Sequence, residues 1–163
     1  MYYKEGVRRL IDEKQLYKVV KQCLPNGYDL KPQFGHAKVT DNTVNTGLNS
    51  KVQIIPNTIA IYFKNAERPY RLASGSYVMN SRRVIFNLYT DRANDNTVAE
   101  GYEILSKVKA NMLALRNSRV NIGTVQLPEY IRIVDCEIAI DNNYIGMTEQ
   151  GQAIFSLELK LIY

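Results

Sequence analysis

The stretch Gln152-Ala153-Ile154-Phe155-Ser156-Leu157-Glu158-Leu159-Lys160-Leu161-Ile162-Tyr163 alternates in chemistry with a period of two. Ala153, Phe155, Leu157, Leu159, Leu161 and Tyr163 fall on one side of an extended chain, and Gln152, Ser156, Glu158 and Lys160 fall on the other. Successive side chains of a strand point to opposite faces, so this pattern predicts a strand with one buried face. Residues 130–140 repeat the signal, with Val134, Cys136, Ile138 and Ile140 on the inner side and Asp135 and Glu137 on the outer. Between the two, Asp141 to Gly151 is rich in turn formers. The chain is therefore expected to close in a long hairpin. Its last strand ties the C-terminus into the core, so truncating it should unfold the domain.

Working back from the hairpin, Val98, Tyr102, Leu105, Val108, Met112 and Leu115 form a helical stripe. Thr97 and Glu100 stand at capping-box spacing at its start, after a turn over Asp91–Asn96. Thr58–Phe63 and Arg83–Thr90 alternate as strands, and Tyr77–Met79 offers a shorter one. Near the start, Val7, Leu10 and Ile11, then Leu16, Val19, Val20, Cys23 and Leu24, are spaced for an amphipathic helix. Its phase slips across Asp12–Gln15, which implies either one bent helix or a short helix followed by a second. Pro25-Asn26-Gly27 stops it. The order predicts one α+β domain over residues 1–163: a mixed, mostly antiparallel sheet, two helices on one face, and the C-terminal β-hairpin.

Residues 35–57 differ in kind. They are polar, hold Asn42, Asn45 and Asn49, and have few apolar anchors. A polar stretch this long inside a compact domain predicts an extended arm, ordered by neighbouring molecules.

Composition narrows the classes. An apolar fraction of 45% and a charged fraction of 23% suit a globular domain with a real core. No apolar run approaches the roughly 18 residues that span a bilayer, and the opening residues lack a secretory h-region, so no membrane contact and a cytosolic origin are expected. Cys23 and Cys136 are too few for a disulfide framework, and Cys136 reads as a core residue. A net charge of +5 permits an acidic partner without requiring one. Twelve tyrosines against four phenylalanines and no tryptophan suit surfaces half-buried against a partner, or the rim of a core.

Catalytic constellations are absent from the pattern. His36 is the one histidine and brings neither an orienting partner nor a ligand set. Ser74-Gly75-Ser76 lacks the flanks of a nucleophile elbow. Gly146 to Gly151 has phosphate-loop glycine spacing but no Lys-Ser/Thr after it, and it precedes a strand. Neither cofactor nor metal is expected, and an enzyme is the least supported class. The strongest functional signal is a basic and aromatic cluster: Arg68, Arg71, Arg82 and Arg83 interleaved with Tyr70 and Tyr77. It suits an acidic protein surface, a nucleic-acid groove, or simply a solvated outer face.

The element order and the ending Ile145-Gly146-Met147-Thr148-Glu149-Gln150-Gly151-Gln152-Ala153-Ile154-Phe155-Ser156-Leu157 carry a resemblance. From about Thr58 onward, together with the first helix, the chain resembles the tail-terminator, tail-completion or "minor capsid" proteins of long-tailed bacteriophages. The resemblance implies a structural virion protein without chemistry, made in the host cytoplasm and built into the head–tail joint. It implies a hexameric ring that caps the tail tube, docks the head-completion or connector protein, and lets phage DNA pass through its lumen. The runner-up from another class is a nucleic-acid-binding module whose groove is the Arg68–Arg83 patch.

Overall fold

A computed structural model describes residues 11–25, 58–65, 70–71, 77–149 and 151–163. The expected arm over 35–57, with Asn42, Asn45, Asn49 and His36, lies outside the described residues, as does Arg68. Tyr70, Arg71 and Tyr77 are described as backbone only.

Helix α1 spans Glu13–Lys21 and begins within the phase slip, while Val7 and Leu10 of the expected stripe ahead of it lie outside the described residues. Asp12 is the N-cap: its carboxylate accepts from the Gln15 N–H at 2.8 Å, and the Gln15 side chain accepts from the Asp12 N–H at 3.0 Å. This reciprocal box satisfies two of the orphan donors at the helix end and fixes where the helix begins. Leu16, Val19 and Val20 form its buried face.

Four strands make the main sheet: β1 (Thr58–Phe63), β4 (Ser81–Arg92), β7 (Asp135–Met147) and β8 (Gln152–Ile162), in the order β1-β4-β8-β7 with every pairing antiparallel. Two small ladders flank it, β2 (Tyr70–Arg71) with β3 (Tyr77–Met79), and β5 (Ser118–Asn121) with β6 (Tyr130–Ile133). The other helix among the described residues, α2 (Asp95–Leu113), packs Leu105, Val108 and Met112 into one core with α1 and with Phe86, Phe155, Leu157 and Leu159 of the sheet. The α+β architecture expected from the sequence is the one observed.

Local expectations are corrected at several points. The capping box of α2 is Asn94 with Thr97, three residues earlier than the Thr97–Glu100 reading. Asn94 Oδ1 accepts from the Thr97 N–H at 3.0 Å, and Thr97 Oγ1 returns the bond to the Asn94 N–H at 2.8 Å. Asn is at least as good an N-cap as Thr, so the upstream residue takes the role. Gly101, unremarked in the sequence, is buried where any Cβ would overlap the Phe155 ring. That glycine lets the helix approach the sheet.

The expected strand over 130–140 is two strands. Val134 is the break: its N–H donates to the Ile162 carbonyl, and its own carbonyl accepts from Asn117. One residue thus joins the small β5–β6 ladder to the main sheet. The expected loop over Asp141–Gly151 is mostly strand, with a turn confined to Thr148–Gly151. Register shifts between Ile138 and Ile140, Ile140 and Asn143, and Tyr144 and Gly146 absorb the turn formers as bulges. Asp141 is held by Lys109 at 2.9 Å, and Asn142 donates to the Tyr102 carbonyl. Gly146 and Gly151 adopt φ of 144° and 82°, conformations that suit glycine. No helix among the described residues is long and apolar enough to cross a membrane.

Candidate assembly surface

Arg82 and Arg83 are neighbours on β4, so their side chains leave the strand on opposite faces. Arg82 Nε donates to the Lys64 carbonyl at 2.9 Å, a guanidinium nitrogen approaches Glu13 at 3.4 Å, and its Cζ lies 5.8 Å from the centre of the Phe63 ring. Arg83 reaches Glu158 at 3.2 Å. The two guanidinium groups are therefore separated by the sheet and engaged within the chain. They do not pool their charge in one patch.

Their partner Glu158 corrects the alternation reading. The pattern places it on a solvated face, yet its side chain is only 5% exposed, with Lys64 at 2.9 Å and Arg83 at 3.2 Å. A carboxylate can be held out of water when two cations and their hydrogen bonds replace its hydration.

Among the described residues, β1 is one edge of the main sheet and β7 is the other. Its first turn inward is normal, since Cys136 is fully buried against Leu161. Beyond it the expected inner face opens: Ile138, Ile140, Tyr144, Ile145 and Met147 are all exposed large hydrophobics. Residues paired across a ladder share a face. Ile138 and Tyr144 sit opposite Leu159 and Phe155 on the helix side, whereas Ile140 sits opposite Glu158 on the other. Apolar groups on both sides are the mark of a strand covered on both faces. Tyr144 also tilts onto Phe155 at 5.6 Å, and Tyr102 meets that ring edge-on at 4.9 Å, which continues the core outward to the surface.

A second apolar projection lies largely outside the periodic segments of the sequence. The β5–β6 hairpin holds Val125 at 95% and Leu127 at 78% exposure in its connection, and Tyr130 at 61% at the start of β6. Its backbone is heavily tied. Asn121 Oδ1 accepts from the N–H groups of Gly123 and Glu129, Ile122 donates to the Glu129 carbonyl, and Thr124 exchanges bonds with Leu127 through its N–H and hydroxyl. A Cβ at Gly123 would collide with the Leu127 carbonyl. Gln15 and Gln22 of the α1 segment brace the connection by donating to Glu129 and to the Asn121 carbonyl, both at 2.7 Å. The signal available in sequence was Asn121-Ile122-Gly123 with Pro128, a turn framing two aliphatics that alternate with polar residues.

Burial pushes the Cys23 thiol up to about 12, with Cys136 adding to the effect, and burial likewise pushes Cys136 up to about 11. Both are free thiols. Among the described residues no group of three His, Cys, Asp or Glu side chains is placed to hold a metal ion. No protein-family model matches the chain, and no curated protein sequence matches it.

Proposed function

We propose that this chain is a structural virion protein of the head–tail joint of a long-tailed bacteriophage, a tail terminator. In this reading six copies close a ring on the last ring of the tail tube, stop its growth, and present a surface to the head-completion or connector protein. DNA passes through the lumen, and the net charge of +5 suits a wall beside a polyanion. The observation that carries an assembly role is β7: an edge strand with the two-sided apolar character of a strand meant to be covered. A monomer exposing such an edge invites association, so a use for it in assembly explains why the described residues leave it open. The resemblance in element order and in the 145–157 ending supplies the phage setting.

The nucleic-acid alternative rests on the Arg68–Arg83 patch. The divergence of Arg82 and Arg83, and their bonds to Glu13 and Glu158, lend it no support. The test is assembly of particles lacking this chain. Tails of unregulated length and unjoined heads are expected, with joining restored when purified chain is added. Normal infectious particles without it would refute the reading.

A further inference from the structure

We propose that copies of this chain bind one another head to tail, the β5–β6 hairpin of one copy seating Val125 and Leu127 on the exposed β7 strand of the next. The proposal deepens the ring reading and rests on it for its biological setting. The contact itself is argued from the two surfaces.

Each surface has an apolar centre, and the excess charge around the two is opposite in sign, acidic by one on the strand and basic by one on the hairpin, where Glu129 accompanies Arg119 and Arg132. Residues 135–151 contain Asp135, Glu137, Asp141 and Glu149 and no Lys or Arg. Asp135 and Asp141 are bound to Arg116 and Lys109, Glu137 is exposed and stands across the ladder from Lys160, and Glu149 is exposed at the far end of the apolar strip, so four acids face three cations. On the hairpin, Arg119 and Arg132 stand directly opposite each other across the ladder, and both are exposed. Arg132 makes one long bond, 3.4 Å, to Asn117 Oδ1. Like charges at directly opposed positions disfavour the ladder that carries them. Acidic groups on a partner would offset that repulsion.

The same charges select the geometry. Hairpin against hairpin brings Arg119 and Arg132 onto their own kind. Strand against strand brings Glu137 and Glu149 together. Only hairpin against strand matches apolar to apolar and basic to acidic, so self-pairing across a two-fold axis is opposed and the unlike pairing is favoured. Because the two surfaces are different parts of one chain, the contact is heterologous and repeats from copy to copy, closing into a ring if the rotation permits. The bulges of β7 interrupt the regular bonding pattern that simple strand addition needs, which favours docking through side chains. The tied backbone of the hairpin presents Val125 and Leu127 already fixed, so little ordering is needed on contact.

Sedimentation velocity across a concentration series tests this on the full chain. The wild type is expected to associate reversibly beyond a dimer. V125D/L127D removes the hairpin surface and E137K/I145K reverses the strand surface. All four positions are exposed, and circular dichroism verifies that each variant folds. Each variant alone should weaken association at least about thirtyfold, as loss of an anchor residue does. An equimolar mixture retains one intact hairpin and one intact strand, so it should form a one-to-one dimer and nothing larger. A wild type that stays monomeric throughout, variants that associate like the wild type, or a mixture that stays monomeric would each overturn the proposal. So would a variant R119E/R132E that loses DNA binding while associating normally. A monomeric wild type would leave the tail-terminator reading standing, because that reading is decided by particles lacking the chain.

Discussion

Lys64 and Glu158, ninety-four residues apart in sequence, meet at 2.9 Å across the sheet, and Arg83 completes the arrangement at 3.2 Å. The ion pair ties the end of β1 to the middle of β8 through the intervening β4. Its carboxylate is buried, while both cations are partly exposed.

Glu158→Ala is therefore expected to destabilise the fold by about 1–3 kcal/mol, as loss of a charge-assisted buried bond does. The two cations keep access to water, which holds the cost below that of a fully buried pair. Lys64→Ala leaves the buried carboxylate with Arg83 alone and should also destabilise. Urea melts of both variants check this, and unchanged midpoints would show that the pair contributes nothing.

Leu157→Asp places a carboxylate among Phe86, Leu105 and the other fully buried side chains of the core. An unpaired buried charge costs several kcal/mol, of the order of a domain's whole stability of about 5–15 kcal/mol. The expected result is loss of cooperative melting, and Leu159→Asp should behave alike. A native-like melt from either would mean that the inner face of β8 is misassigned.

Gly101→Ala tests the close approach of α2 to the sheet. Alanine normally favours a helix by about 1 kcal/mol over glycine. Here the added methyl meets the buried Phe155 ring, and overpacking of that kind costs about 1–3 kcal/mol. A net loss of stability is expected by thermal melting, together with a change in the near-ultraviolet signal of Tyr102 and Tyr144, which contact that ring. A stabilised variant would show that the ring yields easily.

Cys23 and Cys136 should react with a thiol reagent only as fast as the protein opens, because burial holds both as neutral thiols. Their folded values, about 12 and about 11, lie above the ordinary 9.0. Their contribution to stability is thus full below pH 9 and falls as pH rises through the folded values. Rapid labelling of the native protein at neutral pH would contradict this, as would a melting temperature that does not decline above about pH 9.

Period-two alternation located β1, β4 and β8, because each packs one face on the core and the residues themselves record it. Alternation cannot say which strand lies at an edge. That is why Ile138 and Ile140 read as core although β7 leaves them exposed. It also cannot see a partner: Glu158 reads as a surface residue because Lys64 is distant in sequence and arrives only through β4. The turn formers Asp141, Asn142 and Asn143 misled for a related reason, since bulges and bonds from Lys109 and to Tyr102 hold them within a strand. The short strand β5 carried too few residues for any period to register. The arginine cluster looked continuous because sequence proximity hides the reversal of side-chain direction between Arg82 and Arg83.

The central claim, a ring subunit at the head–tail joint, is tested most directly by an electron-microscopy map of the intact phage particle resolved well enough to trace chains. The account predicts six copies of this fold in one closed ring at the head-proximal end of the tail tube, with β7 covered by a neighbour. A map in which the fold is absent from the joint, or present there as a single copy, would contradict it.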